Sequence, residues 1–520
     1  MLNIQRIPDV LKIDVQGGEI TDAKVEFEPK ADRLSVYLTA SIDKPRFVAM
    51  RWLHKFSKEV KILGDDWERL QGNKSFSTLN ADRALPWYFI AREGDEVTGC
   101  GVAVRPSSFV TFLCDGEGVT AYFDVRCGGT GVELGGRRLH VGDIICRNYK
   151  GLSSFKAACE YCKELCSDPI LPKEPVYGGN NWYYAYGNTS HEEIIEDTKL
   201  QAALAEGLPV RPFMVLDDGW SVNRCAGPWL PNEKFPDMKG LADEIKAMGV
   251  RPGIWVRFLH SPEYYEKRPD MMIKKAEGGS ALDPSHPDVK ALIKEDIERI
   301  KEWGYELIKH DFSSYDMFND FAYGFYSTVA NENEWSFYDK TKTSAEIVLD
   351  FYRLIKETAG DIYIIGCNTF SHLIAGLAEM NRVGDDTSGH NWDRTRAYGI
   401  NSLAFRLPQH NAFYAIDADC VGFEKNIIPW KFNGQFADLL AKSGTPFFIS
   451  SPNGILSEEE IAGLKKAFAR FIEQKDTIEP LDWEYNDHPR IWKVNGEVEE
   501  YEWQKDSIPV FCYKRPWQLH

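Results

Sequence analysis

The chain has 520 residues and sets 61 Lys and Arg against 79 Asp and Glu, a formal charge of −18 with His neutral. That balance, without any clustered run of Lys and Arg, argues against nucleic acid, whose phosphates are held by concentrated positive charge. A hydrophobic share of 43% and a charged share of 27% exclude wholesale disorder, and no run approaches the 18 or so apolar residues that a membrane helix needs.

The N-terminus, MLNIQRIPDVLKIDV, lacks the basic-then-apolar layout of a signal peptide, so a cytoplasmic location is expected. Up to about residue 150, runs such as RLSVYLTASI, FVAMRWL, EVTGCGVAV and VTAYFDVRC alternate apolar and polar residues between Gly, Asp and Pro. This pattern predicts an N-terminal β-sandwich over 1–150. A helix over Ser153 to Ser167 follows, placing Cys159, Cys162 and Cys166 on one face. No fourth ligand stands at a zinc-site spacing, so these cysteines read as core, and 11 cysteines scattered over a long chain fit reduced thiols. With the proline-rich DPILPKEP, residues 151–175 read as a helical linker.

Beyond it, short apolar strands take turns with amphipathic helices eight times. The strand candidates are YGGNNWYYAY, RPFMVLDDGW, RPGIWVRF, YELIKHDF, IYIIGCN, MNRVGDD, AFYAIDAD and TPFFISS. Helices are predicted over His191–Glu206, Met238–Met248, Pro287–Trp303, Thr343–Ala359, Phe370–Ala378, Trp392–Leu403, Lys431–Lys442 and Ser457–Glu473. Ser190 before HEE and Ser457 before EEE are N-cap signatures. Eight such units predict a closed parallel (β/α)8 barrel, a TIM barrel, over 176–474. The fourth connection, Ser313 to Lys342, is long and rich in aromatics, among them Tyr315, Phe318, Tyr323, Phe325, Tyr326, Trp335 and Phe337, and reads as a wall of a substrate pocket. From 475 to 520, RIWKVNGEV, EYEWQ and IPVFCYK predict a small C-terminal antiparallel β domain.

Barrel active sites form where the strands end, and here carboxylates dominate those ends: Asp217-Asp218, Lys309-His310-Asp311, Arg382 with Asp385-Asp386, and Asp417 with Asp419. A ring of acids serves either divalent metals or glycosidic cleavage by paired carboxyls. Strand one offers no His, Lys309 beside a would-be ligand opposes a cation, and His310 should point outward by alternation, so no metal is expected.

These residues resemble glycoside hydrolase clan D, and within it the family 36 α-galactosidases. The resemblance is carried by NWYYAY; LDDGW with GPWLPNEKFPDMKGLADEIKAMGVRPGIW; IKHDF; IIGCN; and RVGDDTSGHNW with IDADC. It implies a metal-free and nucleotide-free, retaining exo-glycosidase that releases terminal α-linked galactose from oligosaccharides by double displacement. In that reading Asp311 is the nucleophile and Asp386, four residues after Arg382, the general acid/base. Asp385 would then face the opposite side. Asp311 must stay ionised, and Asp386 must hold a proton, its pKa raised by burial near other carboxylates.

The resemblance further implies that Asp217 and Asp218 accept from the 4- and 6-hydroxyls and Lys309 contacts the 3- and 4-hydroxyls. Arg382 and Cys367 would stand near the 2-position, and Trp182 and Trp255 would line the pocket. Family members often form homo-oligomers. Trp67 in GDDWERLQG reads equally as a site residue from the sandwich or as core. Trp255, Cys367 and Arg382 each have a structural alternative, as barrel core, small filler and partner of Asp385. Three departures from the family pattern bear on substrate identity: Asn368, HNW after DDTSG, and Arg257, which either recognises a polar aglycone or pairs with Asp283 or another acid. The alternatives are an α-N-acetylgalactosaminidase, a galactosyltransferase of the raffinose-synthase kind, a binding protein that has lost catalysis, and a barrel metalloenzyme.

Overall fold

The computed structural model describes residues 2–273, 281–319, 321, 335–425 and 427–504. Two antiparallel sheets come first. One has five strands, in the order Val10–Val15, Pro45–Leu53, Gly118–Asp124, Phe109–Asp115 and Leu85–Pro86. The other has six, from Lys24–Pro29 through Leu34–Thr39, Leu139–Lys150, Glu96–Val102 and Tyr88–Glu93 to Lys61–Gly64. Their inner faces meet through contacts such as Phe89 against Phe112, with ring centroids 5.6 Å apart. The alternation read from the sequence is thus the alternation of inward and outward side chains on a packed sheet.

The helix Ser154–Leu165, capped by Ser153, lies against this β region, where the Tyr161 ring covers Gly99 so closely that a side chain there would clash. Cys162 and Cys166 are buried on its packed face and Cys159 is half-buried.

The barrel sheet has nine parallel strands. In sheet order they are Ala415–Asp417, Met380–Arg382, Tyr363–Gly366, Leu307–His310, Arg251–Val256, Phe213–Leu216, Tyr177–Asn180, Phe447–Ser450 and Cys420–Gly422. The two edge strands are consecutive in the chain, separated by Ala418 and Asp419 alone, so the sheet curls until its edges lie side by side. Asp419 has a φ of 68°, the left-handed conformation at which the chain passes from Ala415–Asp417, the strand within the expected AFYAIDAD and paired with Met380–Arg382, to Cys420–Gly422 just beyond it, paired with Phe448–Ser450. A small apolar cluster of Phe213, Val215, Leu307, Tyr363, Ile365, Met380 and Phe448 fills the interior. The alternate residues Met214, Leu216, Ile308 and Ile364 pack outward with the helices. Continued with period two, the inward set reaches Asp217, Lys309, Asp311, Cys367 and Arg382.

Helices follow the strands close to the expected bounds: His191–Leu204, Met238–Ala247, Pro287–Trp303, Ser344–Ala359 with a Thr343–Glu346 capping box, Trp430–Ser443, and Glu458–Glu473 with a Ser457–Glu460 box. Four expectations need correction. YGGNNWYYAY is a strand only to Asn180; Trp182–Ala185 forms a helical turn closed by left-handed Tyr186, because the chain must leave the sheet where the barrel mouth opens. Phe370–Ala378 contracts to Ser371–Ile374, and the helix from Trp392 runs through a π-helical stretch, Thr395–Asn401, to Arg406. In the long fourth connection, Phe318 is buried against Phe109 and Phe370, and Trp335 and Phe337 are buried against Phe318, so these rings join barrel to β region instead of facing an open pocket. Tyr323, Phe325 and Tyr326 lie outside the described residues, as does IPVFCYK.

Near the C-terminus Ile478–Pro480, Ile491–Val494 and Glu497–Glu500 form a three-stranded antiparallel sheet. It docks on the barrel through Trp503, whose carbonyl accepts from Trp392 Nε1 at 2.8 Å. No helix among the described residues is long and apolar enough to cross a membrane.

Candidate active site

The strand Phe213–Leu216 ends in Asp217, which is held from two sides. Lys309 Nζ, two strands along the sheet, lies 2.7 Å from Asp217 Oδ2, and Asn180 Nδ2 donates to the same oxygen at 2.7 Å. Burial alone would strip Lys309 of its charge, but Asp217 more than offsets this and holds its pKa above the ordinary value. The next residue, Asp218, is buried, and its Oδ1 has no hydrogen-bond partner among the described residues. Burial first, and the Asp217 charge second, push its pKa up to about 6.

That ionised carboxylate is a stability cost, with a sign that can be tested. The folded state holds the proton more tightly than the unfolded state, so stability falls as pH rises from the ordinary carboxylate range through about 6. Asp218→Asn is therefore expected to stabilise the protein by about 3 kcal/mol at pH 8 and to change little at pH 4, read as Tm at the two pH values. An equal loss at both would contradict this assignment.

Asp311 directly follows the strand Leu307–His310. Trp255 Nε1 donates to its Oδ2 at 3.1 Å and the Phe312 backbone N–H to its Oδ1 at 2.7 Å; Phe312 is itself left-handed. Both oxygens are thereby fixed on the inward side. His310 points the other way, against Phe351 and Tyr352 of the helix Ser344–Ala359, and burial drops its pKa to about 4. The outward orientation read from alternation holds.

Arg382 lies wholly buried at the end of its strand. Its Nη2 pairs with Asp419 Oδ2 at 2.9 Å and reaches Asp386 Oδ1 at 3.4 Å, so its partners are Asp419 and Asp386, not Asp385. Asp419 also accepts from the Tyr183 hydroxyl and from Thr387 N and Oγ1. Gly384 permits the close pass that follows, since a Cβ there would stand 1.8 Å from the Tyr398 carbonyl oxygen. Cys367, beyond Gly366, touches both Arg382 Nη1 (3.8 Å) and Arg69 Nη1 (3.5 Å) through its sulfur, and is a buried thiol whose pKa burial raises. Trp182 sits half-buried on its helical turn at the rim, edge-on to Tyr186.

Arg69 is the residue that strand-end reasoning missed. It belongs to the loop after Lys61–Gly64 and reaches Asp386 Oδ1 at 2.9 Å and Asp385 Oδ1 at 3.0 Å. Burial alone would raise the pKa of Asp386, but Arg69, then Arg382, Lys309 and Arg394, overcome it and hold the carboxyl well below the usual range. The expectation that burial near other carboxylates keeps a proton on Asp386 is not met, because four cations surround it. The signal available in sequence was GDDWERLQG, a charged run that alternation does not explain; Trp67 there is core, against Phe109 and His372.

The departures from the family pattern have structural partners. Arg257 forks onto Asp316, with Nε at 3.0 Å, and stacks on Phe312, so its charge is already matched; Asp283 is not its partner. Asn368 Nδ2 donates to Glu68 Oε1 at 3.1 Å. In HNW, Asn391 caps the helix from Trp392 and His390 pairs with Glu424.

No family model matches the chain, and no curated protein matches it by sequence. Its fold is shared with solved α-galactosidases. TtGalA from Thermus thermophilus, solved with p-nitrophenyl α-D-galactopyranoside, aligns at TM-score 0.63 and 18% identity over 92% of this chain and 96% of that one. The GH36 α-galactosidase AgaA from Geobacillus stearothermophilus, in complex with stachyose, gives 0.60 and 16% over 88% and 68%. The galactosidase domain of the α-galactosidase-sucrose kinase AgaSK gives 0.59 and 15% over 93% and 75%. At these identities the likeness establishes the architecture of β sheets and barrel that frames the site.

Proposed function

We propose that this chain is a GH36-type α-galactosidase: a retaining exo-glycosidase that removes terminal α-linked galactose from oligosaccharides such as those seen with its structural neighbours. The observation that carries the reading is the barrel mouth itself. Lys309 clamps Asp217 beside the unpartnered carboxylate oxygen of Asp218, and Trp255 aims Asp311 into the same mouth.

Asp217 and Asp218 accept from the axial 4-hydroxyl and the 6-hydroxyl, and Lys309 donates to the 3- and 4-hydroxyls. A glucoside leaves these buried acceptors poorly satisfied, which is the basis of discrimination. Arg382 and Cys367 border the 2-position, and Trp182 and Trp255 wall the ring. Asp311 attacks the anomeric carbon while Asp386 donates to the departing oxygen, and Asp386 as base then activates water. The four cations around Asp386 favour its anion, so the proton it delivers is taken up with the substrate.

In this account residues 1–150 form the sandwich, 151–175 the helical linker, 176–474 an eightfold barrel whose seventh strand is split at Ala418–Asp419, and 475–520 the C-terminal β domain. A homo-oligomer is the expected assembly. Hydrolysis of nitrophenyl α-galactoside, α-N-acetylgalactosaminide, α-glucoside and β-galactoside tests the reading: the first alone should turn over. Preference for the N-acetyl sugar would move the assignment to the sister activity, and no turnover of any would refute hydrolysis.

A further inference from the structure

The loop 65–70 belongs to the β region by sequence and to the barrel by contact. Asp65 anchors it: its carboxylate accepts from Trp87 Nε1 at 3.0 Å, from Arg406 Nε at 2.9 Å and from Gln409 Nε2 at 2.9 Å, the last two from the barrel. The loop then pairs with the barrel mouth as a short parallel strand would. Ser371 N donates to the Trp67 carbonyl at 2.7 Å, Leu70 N to the Val383 carbonyl at 2.8 Å, and Asp385 N to the Leu70 carbonyl at 2.8 Å. Between those bonds the Glu68 and Arg69 side chains enter the site from outside the barrel. Glu68 accepts from Ser314 and Asn368, which follow the fourth and fifth strands, and Arg69 bridges Asp385, Asp386 and Cys367.

We infer that Arg69 is a positioning residue of this site, supplied by the β region, which fixes the carboxylate of Asp386 and that of its neighbour Asp385 through one guanidinium. The inference rests on the reading of Asp386 as the acid/base. The planar fork of Arg suits two carboxylates at once, and each bond is charge-assisted. Arg382, 3.4 Å from Asp386 Oδ1 and already committed to Asp419, does not replace it. Arg394 donates to the Asp386 carbonyl, not to its carboxylate. Without Arg69 the Asp386 side chain, a third of it open to solvent, loses its shortest contact.

The groups facing Asp386 are Arg69 from the loop, Lys309 and Arg382 from the barrel strands, Arg394 from the following helix, Tyr183 and Tyr186 from the first connection, and Asp385 beside it. Removing one cation from this set raises the proton affinity of the carboxyl. In the pH profile of kcat, which reports the enzyme–substrate complex, the basic limb marks loss of the acid proton, so that limb moves upward in Arg69→Met. We expect a shift of at least about one pH unit, a tenfold change in proton affinity, with kcat/KM at the optimum falling roughly 10- to 100-fold as the carboxylate loses its fixed position. Arg69→Lys keeps the charge and reaches one carboxylate, so its limb stays near that of the wild type while the rate still falls.

The titration is to be read a second way, in full-length protein labelled with ¹³Cγ-aspartate, with Asp386 assigned by its loss in Asp386→Asn. An upward shift in Arg69→Met, absent in Arg69→Lys, supports the inference. A titration unchanged in Arg69→Met, with only a lower Tm, overturns it and leaves Arg69 as a tie between domains. If wild-type protein hydrolyses no galactoside while the carboxyl still shifts, the proposed function falls and the positioning of Asp386 stands.

Discussion

Replacing Asp311 by Ala is expected to lower kcat/KM on nitrophenyl α-galactoside by on the order of 10⁴-fold or more, equivalent to about 5.5 kcal/mol of transition-state stabilisation. The side chain is held by Trp255 and by the Phe312 backbone, with both oxygens directed by those donors. Covalent attack needs that preorganisation, since an anomeric carbon reacts only with an oxygen already placed along its path. Alanine removes the nucleophile and leaves the clamp of Lys309 on Asp217 untouched, so galactose should still bind with near wild-type affinity by calorimetry. A variant that loses binding and catalysis together would instead point to collapse of the strand end.

The second large effect concerns Asp386. Asp386→Asn should cost roughly 10³-fold, about 4 kcal/mol, on galactosides with poor leaving groups such as methyl or phenyl, which need a proton to depart. With 2,4-dinitrophenyl α-galactoside the first step needs no acid, so the loss moves to the second step, where no base activates water. A galactosyl-enzyme should then accumulate, visible as a burst and as an added hexose mass. Azide, which needs no base, should relieve it and give the α-galactosyl azide. An equal loss on both classes of substrate would transfer the role to another residue, Asp385 being the first to examine because Arg69 holds both.

The barrel was largely legible because its strands are buried on both faces. LIKH, YIIG and FFIS are short apolar runs between helices, two of whose caps, Ser190 and Ser457, are written in the sequence. Alternation turned His310 outward and Lys309 and Asp311 inward for the same reason, and strand ends marked Asp217 and Arg382, whereas Cys367 stood out only through the family resemblance. What was not legible depends on closure and on contacts distant in sequence. The split at Asp419 arises only when two sheet edges must meet, and the turn at Trp182 only when the first strand has to release the chain at the mouth.

Arg69 illustrates the second limit. It stands more than three hundred residues before the carboxylates it holds, and no local period marks it. The ionisation of Asp386 followed the same course: counting nearby acids predicted a raised pKa, and the cations brought by tertiary structure reverse it. Charge in a site is a property of all the elements that converge there, which strand ends alone do not reveal.

The most direct test of the central claim is the product formed from nitrophenyl α-galactoside by Asp311→Ala in the presence of azide, identified by the anomeric proton in NMR. With the carboxylate gone, azide fits the vacated space on the face opposite the leaving group, and turnover should be rescued with β-galactosyl azide as the product. Rescue giving the α-azide, or no rescue in a variant that still binds galactose, would contradict the assignment of Asp311 as the nucleophile.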